Sequence, residues 1–307
     1  MQRFVYLLAY PFLWAISRLP FPLLYLLSDG LFILLYRLVR YRRKVVRENL
    51  ALAFPEKTDA ERRVIEKDFY NHLCDVFMEM VKTMGISKKE LLKRYTFTNL
   101  DVIHRLEAKG KSIMLLAPHY ASWEWAFALD PYVKGEAFAV YQPLTNRYFD
   151  RWARRTRKRF GTTLITTRET SQLITKNRQE GRLAFYGMLI DQSPMLIKTQ
   201  HWGPFMGIQV PMHTGAEYLC KKMDLPVIYM KVRKLRRGYY EASFKLLTEN
   251  PSEIPDFQIT DAFFREVEHS IREAPEHYFW THKRWKHRDK APGGPHQSGN
   301  KTASRPS

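Results

Sequence analysis

Cysteine is nearly absent from this chain. Cys74 and Cys220 are the two thiols in 307 residues, and they form no Cys-x-x-Cys pair. That excludes a disulfide framework and a thiolate zinc site, and it points to a body in a reducing, cytosol-facing compartment. Acidic residues are also scarce: 31 Asp and Glu face 50 Lys and Arg, for a formal net charge of +19. The expected partners are therefore anionic, whether nucleic acid, a membrane surface, an acidic carrier or an acidic substrate. No internal repeat and no domain-splitting linker interrupts the body. With 45% apolar residues, the chain can build one large hydrophobic core.

What is plentiful is apolar sequence at the start. Residues 4–36 are almost wholly apolar, broken by Arg18, by Pro20-Phe21-Pro22 and by Ser28-Asp29-Gly30. As one helix this run would reach about 50 Å, against a hydrocarbon core of roughly 30 Å. The prolines allow a spanning or re-entrant first part and a second helix at the interface. A cleaved signal peptide fits poorly, because the run leads straight into Arg37, Arg40, Arg42, Arg43, Lys44 and Arg47. By the positive-inside rule that cluster, and the body after it, lie in the cytoplasm. Residues 1–38 are thus expected to form a membrane anchor and 39–290 one α/β domain. Residues 291–307, rich in Pro, Gly, Ser and charge, are expected to be a disordered tail.

Within the body, Thr58 and Glu61 have capping-box spacing ahead of a helix that Gly85 ends, and Ser87 with Glu90 repeats the signature. A strand at 95–98 is followed by regular alternation. Strands are expected at 112–117, 137–141, 164–166, 182–186 and 227–231, with helices at 123–129, 151–160, up to 181, and at 215–223. This order predicts an α/β fold with a mainly parallel sheet covered by helices.

The strongest chemical signal is Pro118-His119-Tyr120-Ala121-Ser122-Trp123-Glu124-Trp125, directly after an apolar strand. Open α/β sheets bind ligands at the carboxyl ends of strands, where His119 stands. On a continuous helix, His119 and Glu124 would lie about 140° apart. They meet only if His119 occupies the turn before the helix and Glu124 its first turn, with Ser122 near the N-cap and the helix N-terminus adding positive potential. Histidine suits removal of a hydroxyl proton near neutral pH, and a carboxylate can fix its tautomer. The spacing therefore suggests a His-carboxylate base without a serine nucleophile. His277, His282 and His287 are each five apart and share no helical face, so no metal site is expected there. With the basic residues around them they read as a surface or substrate-facing segment. Aromatics interleave with basic residues at 278–285, yet no nucleic-acid motif accompanies them, and nucleic acid is not an expected partner. The run from Arg147 to Arg159, with Asp150 as its one acid, suits lipid phosphates or an acidic carrier. A second basic run, Lys231 to Arg237 before Gly238, reads as a hairpin turn that could touch a membrane.

Over residues 40–286 the chain resembles the late acyltransferases of lipid A biosynthesis, the lauroyl and myristoyl transferase family with its H-x4-D/E motif. The blocks that carry the resemblance run in family order. They are Arg43-Lys44-Val45-Val46-Arg47-Glu48-Asn49-Leu50 with Ala53-Phe54-Pro55-Glu56, the His119 to Glu124 block, the arginine-bearing 146–161, Asp191-Gln192, Pro204-Phe205-Met206-Gly207, and the closing 275–286. The resemblance implies a glycerolipid-acyltransferase-like α/β domain at the cytoplasmic side of the inner membrane. It also implies an acyl carrier protein thioester as donor, a hydroxyl of a phosphorylated lipid A precursor as acceptor, and no cofactor. On this reading His119 is the general base and Glu124 its support. Arg159, with Arg157 nearby, would position the acceptor or stabilise negative charge, Asp191 and Gln192 would order the cleft, and Phe205 would belong to the substrate contacts. Two departures stand out: Tyr120-Ala121-Ser122 replaces the commoner small or Phe-Gly-Asn filling, and Glu124 follows the glutamate variant. The alternatives are another glycolipid, phospholipid or aminolipid acceptor, or a catalytically silent relative that binds anionic lipid.

Overall fold

The computed structural model describes residues 2–292. The expected tail therefore lies, from residue 293 onward, outside the described residues. Helices α1 (Gln2–Arg18) and α2 (Phe21–Phe32) come first, and α2 continues as a π-helical turn, Ile33–Leu38. Next are α3 (Arg43–Ala53), α4 (Asp59–Lys82), α5 (Lys88–Arg94), β1 (Tyr95–Phe97), α6 (Asp101–Ala108) and β2 (Ile113–Ala117). A 3₁₀ helix, Trp123–Tyr132, leads to β3 (Glu136–Tyr141), α7 (Arg147–Lys158), β4 (Thr163–Thr166), α8 (Thr167–Gln179) and β5 (Ala184–Leu189). The chain closes with the hairpin β6 (His201–Phe205) and β7 (Ile208–Met212), α9 (Gly215–Met223), β8 (Val227–Arg236), β9 (Tyr239–Thr248) and α10 (Gln258–Glu273).

Seven strands make one sheet in the order β1-β9-β8-β2-β5-β3-β4. Strands β8, β2, β5, β3 and β4 run parallel, whereas β9 pairs antiparallel with β8. The mainly parallel, helix-covered sheet expected from the alternation is thus present. β2 sits in its middle with all five residues buried, as befits an apolar strand covered on both faces.

Local chemistry sets the element ends. The Thr58 side chain accepts from Glu61 N–H while Glu61 reaches back to Thr58 N–H, a complete capping box that starts α4. Thr166 and Glu169 do the same for α8. The strand expected at 182–186 begins later and runs further, over Ala184–Leu189, because Gly181 takes φ +65° and Arg182 N–H bonds back to the Asn177 carbonyl at 2.8 Å, which ends α8. Similarly, α7 begins at Arg147 rather than 151, since Asn146 caps it by accepting from Tyr148 N–H.

Both N-terminal helices lie along the body. α2 packs antiparallel to α4: Lys82 Nζ donates to the Ser17 and Leu19 carbonyls, Ser28 Oγ bonds Asp75 Oδ1 at 2.7 Å, and Arg43 pairs with Glu66 at 2.8 Å. The helix from Phe21 to Leu38 is long and apolar enough to cross a membrane, with mean hydropathy 1.5.

Candidate active site

The sheet register builds the site. β2 and β5 pair so that Ala117 lies opposite Leu189. Two residues beyond each strand end stand His119 and Asp191, which the register therefore brings face to face. His119 Nδ1 bonds Asp191 Oδ1 at 2.7 Å. Asp191 is fully buried, while the His119 side chain keeps 20% of its surface exposed. An ionised carboxylate can only accept, so Nδ1 carries the proton and the Nε2 lone pair is left facing outward. On that side the Gln192 amide nitrogen lies 3.3 Å from Nε2.

Electrostatics agree with the geometry. Burial disfavours the charged imidazole, but the charge and hydrogen bond of Asp191, helped by Glu124, outweigh it and hold the His119 pKa above the usual histidine value. Burial works against the Asp191 carboxylate as well, yet its contact with His119 keeps its pKa below the usual carboxylate value.

Glu124 takes a different position from the expected one. Its carboxylate is engaged by the Arg157 guanidinium across the cleft, and it reaches His119 through its charge. The reason lies in the turn. Ala121 adopts φ +49°, and the helix after it is 3₁₀, so Glu124 projects towards α7. The expected Ser122 N-cap is not formed, and the Ser122 hydroxyl is buried with no hydrogen-bond partner among the described residues.

Two expected substrate contacts are engaged elsewhere. Arg159 donates to the carbonyls of Thr83, Met84 and Ile86 at 2.8–3.0 Å, so its guanidinium satisfies the chain where α4 ends. Phe205 is fully buried, stacked on Trp285 with ring centroids 5.5 Å apart, away from the cleft. The histidine segment, expected to be either a surface or a substrate-facing stretch, is not a surface one: Trp280, Arg284 and Trp285 are almost entirely buried. It clamps the motif loop. Ala121 N–H donates to the His277 carbonyl at 2.9 Å, Phe279 N–H donates to the His119 carbonyl at 3.2 Å, and Tyr120 bridges Tyr278. His282 Nε2 accepts from Ser193 N–H, and burial pushes its pKa down to about 4. Among the described residues, no group of three His, Cys, Asp or Glu side chains converges to hold a metal.

His119, Glu124, Arg157 and Gln192 line a cavity of about 640 Å³. The rest of its lining is largely apolar and includes Leu115, Phe127, Phe138, Val140, Phe185 and Ile190. An apolar recess of this size with a few convergent polar groups is the usual form of a small-molecule site. Here it places the Nε2 side of His119, together with His213, beside space shaped for hydrocarbon. The basic run of α7 divides as well. Arg154 bonds the Tyr141 hydroxyl at 2.6 Å and Arg157 bonds Glu124, whereas Arg147, Arg151, Arg155 and Lys158 are exposed.

Comparison with known proteins converges on one family. The family model for bacterial lipid A biosynthesis acyltransferases matches residues 1–287. The chain is 25% identical over 278 residues to the lipid A biosynthesis lauroyltransferase of Escherichia coli (strain K12), covering 90% of this chain and 89% of that protein. It is 22% identical over 281 residues to the palmitoleoyltransferase of the same organism, with the same shares covered. Against a lipid A biosynthesis acyltransferase of Haemophilus influenzae it is 25% identical over 274 residues, covering 88% and 83%.

Proposed function

The chain belongs to the bacterial lipid A biosynthesis acyltransferases, and from that premise we propose that it moves a fatty acyl group from an acyl carrier protein thioester to a hydroxyl of a lipid A precursor. The acyltransferase class follows from the family; the donor and the roles of individual residues are our reading. The observation that carries it is the His119–Asp191 pair, whose imidazole lines the apolar cavity.

In the proposed reaction the acceptor hydroxyl displaces the Gln192 amide from Nε2, and Nε2 takes the hydroxyl proton. The alkoxide attacks the thioester carbonyl carbon. Asp191 holds the ring in the required tautomer and stabilises the imidazolium that forms. As the tetrahedral intermediate collapses, the C–S bond breaks, the ester forms, and Nε2 returns the proton to the departing thiolate. The acyl chain lies in the apolar cavity. Gln192 and Arg157 supply hydrogen bonds and positive charge where the oxyanion develops, and Glu124 keeps Arg157 in place. The exposed Arg147, Arg151, Arg155 and Lys158 meet the acidic carrier or the phosphates of the acceptor. The reaction takes place at the cytoplasmic face of the inner membrane, and it draws on no cofactor.

The test is incubation of detergent-solubilised protein with acyl carrier thioesters of several chain lengths and a tetra-acylated lipid A precursor, read by mass spectrometry. One added acyl mass is expected, with His119→Ala abolishing it. Undiminished transfer by His119→Ala would remove the base. Transfer from acyl-CoA alone would replace the donor, and transfer only to other lipids would replace the acceptor.

A further inference from the structure

Helices α1 and α2 share a pattern that a membrane-crossing helix does not need. In α2, Phe21, Leu24, Ser28 and Phe32 are buried against the body, a stripe at helical spacing. The opposite stripe is apolar and bare: Leu26 is 65% exposed, and Leu23, Ile33 and Leu34 lie between 44% and 49%. α1 repeats this, with Phe4 70% and Phe12 67% exposed, while Tyr6 on its other face stacks on Tyr148 and meets Phe149 of α7 edge-on. A bilayer-crossing helix meets lipid on every side that does not face another apolar helix.

The body-facing stripe of α2 and its flanks are also polar at mid-length. Tyr25 donates to Glu79 Oε1 at 2.9 Å, Ser28 donates to Asp75, and Asp29 pairs at 2.6 Å with Arg237, which itself binds Asp75. These partners belong to α4 and to the tip of the β8–β9 hairpin, beside the middle of the apolar helix. If α2 crossed a bilayer, Asp75, Glu79 and Arg237 would be carried to the depth of the hydrocarbon, together with the α4 backbone that runs alongside. Ionisable groups are expensive there.

We propose that α1 and α2 lie side-on in a single leaflet, their bare faces in the acyl region and the body on one side of the membrane. Its occupant is a lipid monolayer with anionic headgroups, because the helices are flanked by exposed Arg3, Arg18, Arg37 and Lys44. Leu235, 50% exposed at the hairpin tip, extends the same face. This attachment serves the site. Gln2 Nε2 donates to the Thr145 carbonyl at 3.1 Å and the Asn146 amide donates to the Gln2 carbonyl at 3.0 Å, next to Leu144, which lines the cavity. The start of α1 therefore ties the exposed, cavity-lining Leu144 segment to the leaflet from which a lipid acceptor would come. The attachment itself does not depend on the acyltransferase reading.

The native thiols are buried, so single reporters can be added to the full chain as Arg3→Cys, Arg18→Cys and Lys44→Cys. Each is probed with a membrane-impermeant maleimide in sealed membrane vesicles of both orientations, and acyl transfer is assayed in the same vesicles. Side-on attachment predicts that all three label from the face that carries the body. Labelling of Arg3→Cys from the opposite face alone would mean one crossing, and of Arg18→Cys alone a helical hairpin; either overturns the proposal. Active vesicles with an opposite-face label would reject the attachment and leave the enzyme reading intact. Same-face labels without transfer would do the reverse.

Discussion

Two buried charge networks lie at different places in this molecule, and they differ in completeness. The one joining α2, α4 and the β8–β9 hairpin is closed. Glu79 accepts from both Tyr25 and Tyr240, and Asp75 is bound by Ser28, Arg237 and Lys234. The one at the carboxyl ends of β2 and β5 is open. Asp191 orders one nitrogen of His119, and the other looks into a cavity past a long contact to Gln192. A closed network fixes the packing of elements, because removing any member strands a buried partner. An open one retains a valence for a substrate. The contrast predicts that the first set of residues governs stability and the second governs turnover.

The sharpest break of that contrast is His119→Ala. Transfer should fall by roughly 10²–10⁴-fold, the usual worth of a general base, while the thermal midpoint stays close to wild type. Single-turnover assays beside a melting curve read both; a collapse in stability with retained specific activity would exchange the roles of the two networks. Asp191→Asn comes next, with a loss on the order of 10²-fold and a readout in pH. Because Asp191 holds the His119 pKa above its ordinary value, wild-type kcat/KM should fall as pH drops through that raised pKa. Without the carboxylate the acid limb should move to lower pH, because burial then acts on the imidazolium without its main counter-charge. An unmoved limb would mean that Asp191 does not act on His119.

The closed network should answer in the opposite sense. Arg237→Ala leaves Asp75 with Ser28 and Lys234, and the loss should be about 2–3 kcal/mol in denaturant unfolding, with activity per folded molecule unchanged. Glu79 sharpens this further. Burial, with the Asp75 charge adding, raises its pKa to about 7. A carboxyl whose pKa is raised in the folded state adds stability that is complete below its ordinary pKa and lost as pH climbs through 7. Between pH 5 and 8 wild type should therefore lose on the order of 2–3 kcal/mol relative to Glu79→Gln. Parallel pH curves for the two proteins would remove Glu79 from the account.

How far the sequence reaches can be judged residue by residue. The parallel sheet was legible because apolar runs alternate with capped helical segments, and both strand ends that carry chemistry could be placed, His119 after one and Asp191 after another. The pairing of those two was not. It depends on the register of Ala117 against Leu189 across 72 positions, which no local pattern encodes, and the nearer Glu124 offered a plausible but different partner. The segment 275–285 misled for a related reason. Its alternation of basic and aromatic residues reads as a surface or a substrate-facing stretch, yet it has neither helical nor strand period, and Arg284 is buried against Phe205, Phe264 and the Pro211 carbonyl, all distant in sequence.

The arginines at the end of α7 give the smallest but most discriminating comparison. Arg157 and Arg159 are two residues apart and equally charged, and the sequence puts Arg159 first as a substrate contact with Arg157 as the nearby alternative, yet it is Arg157 that faces Glu124 in the cleft while Arg159 caps the turn after α4. Arg159→Ala should cost about 1 kcal/mol, because water can replace a half-exposed donor at those carbonyls, and should leave KM for the acceptor unchanged. Arg157→Ala should raise KM or lower kcat with less effect on stability, since it releases Glu124 into a cavity that solvent reaches. A measured rise in acceptor KM for Arg159→Ala at unchanged stability would mean that its guanidinium leaves the three carbonyls when substrate binds. In that case the boundary between the structural and reactive networks would run through α7 itself.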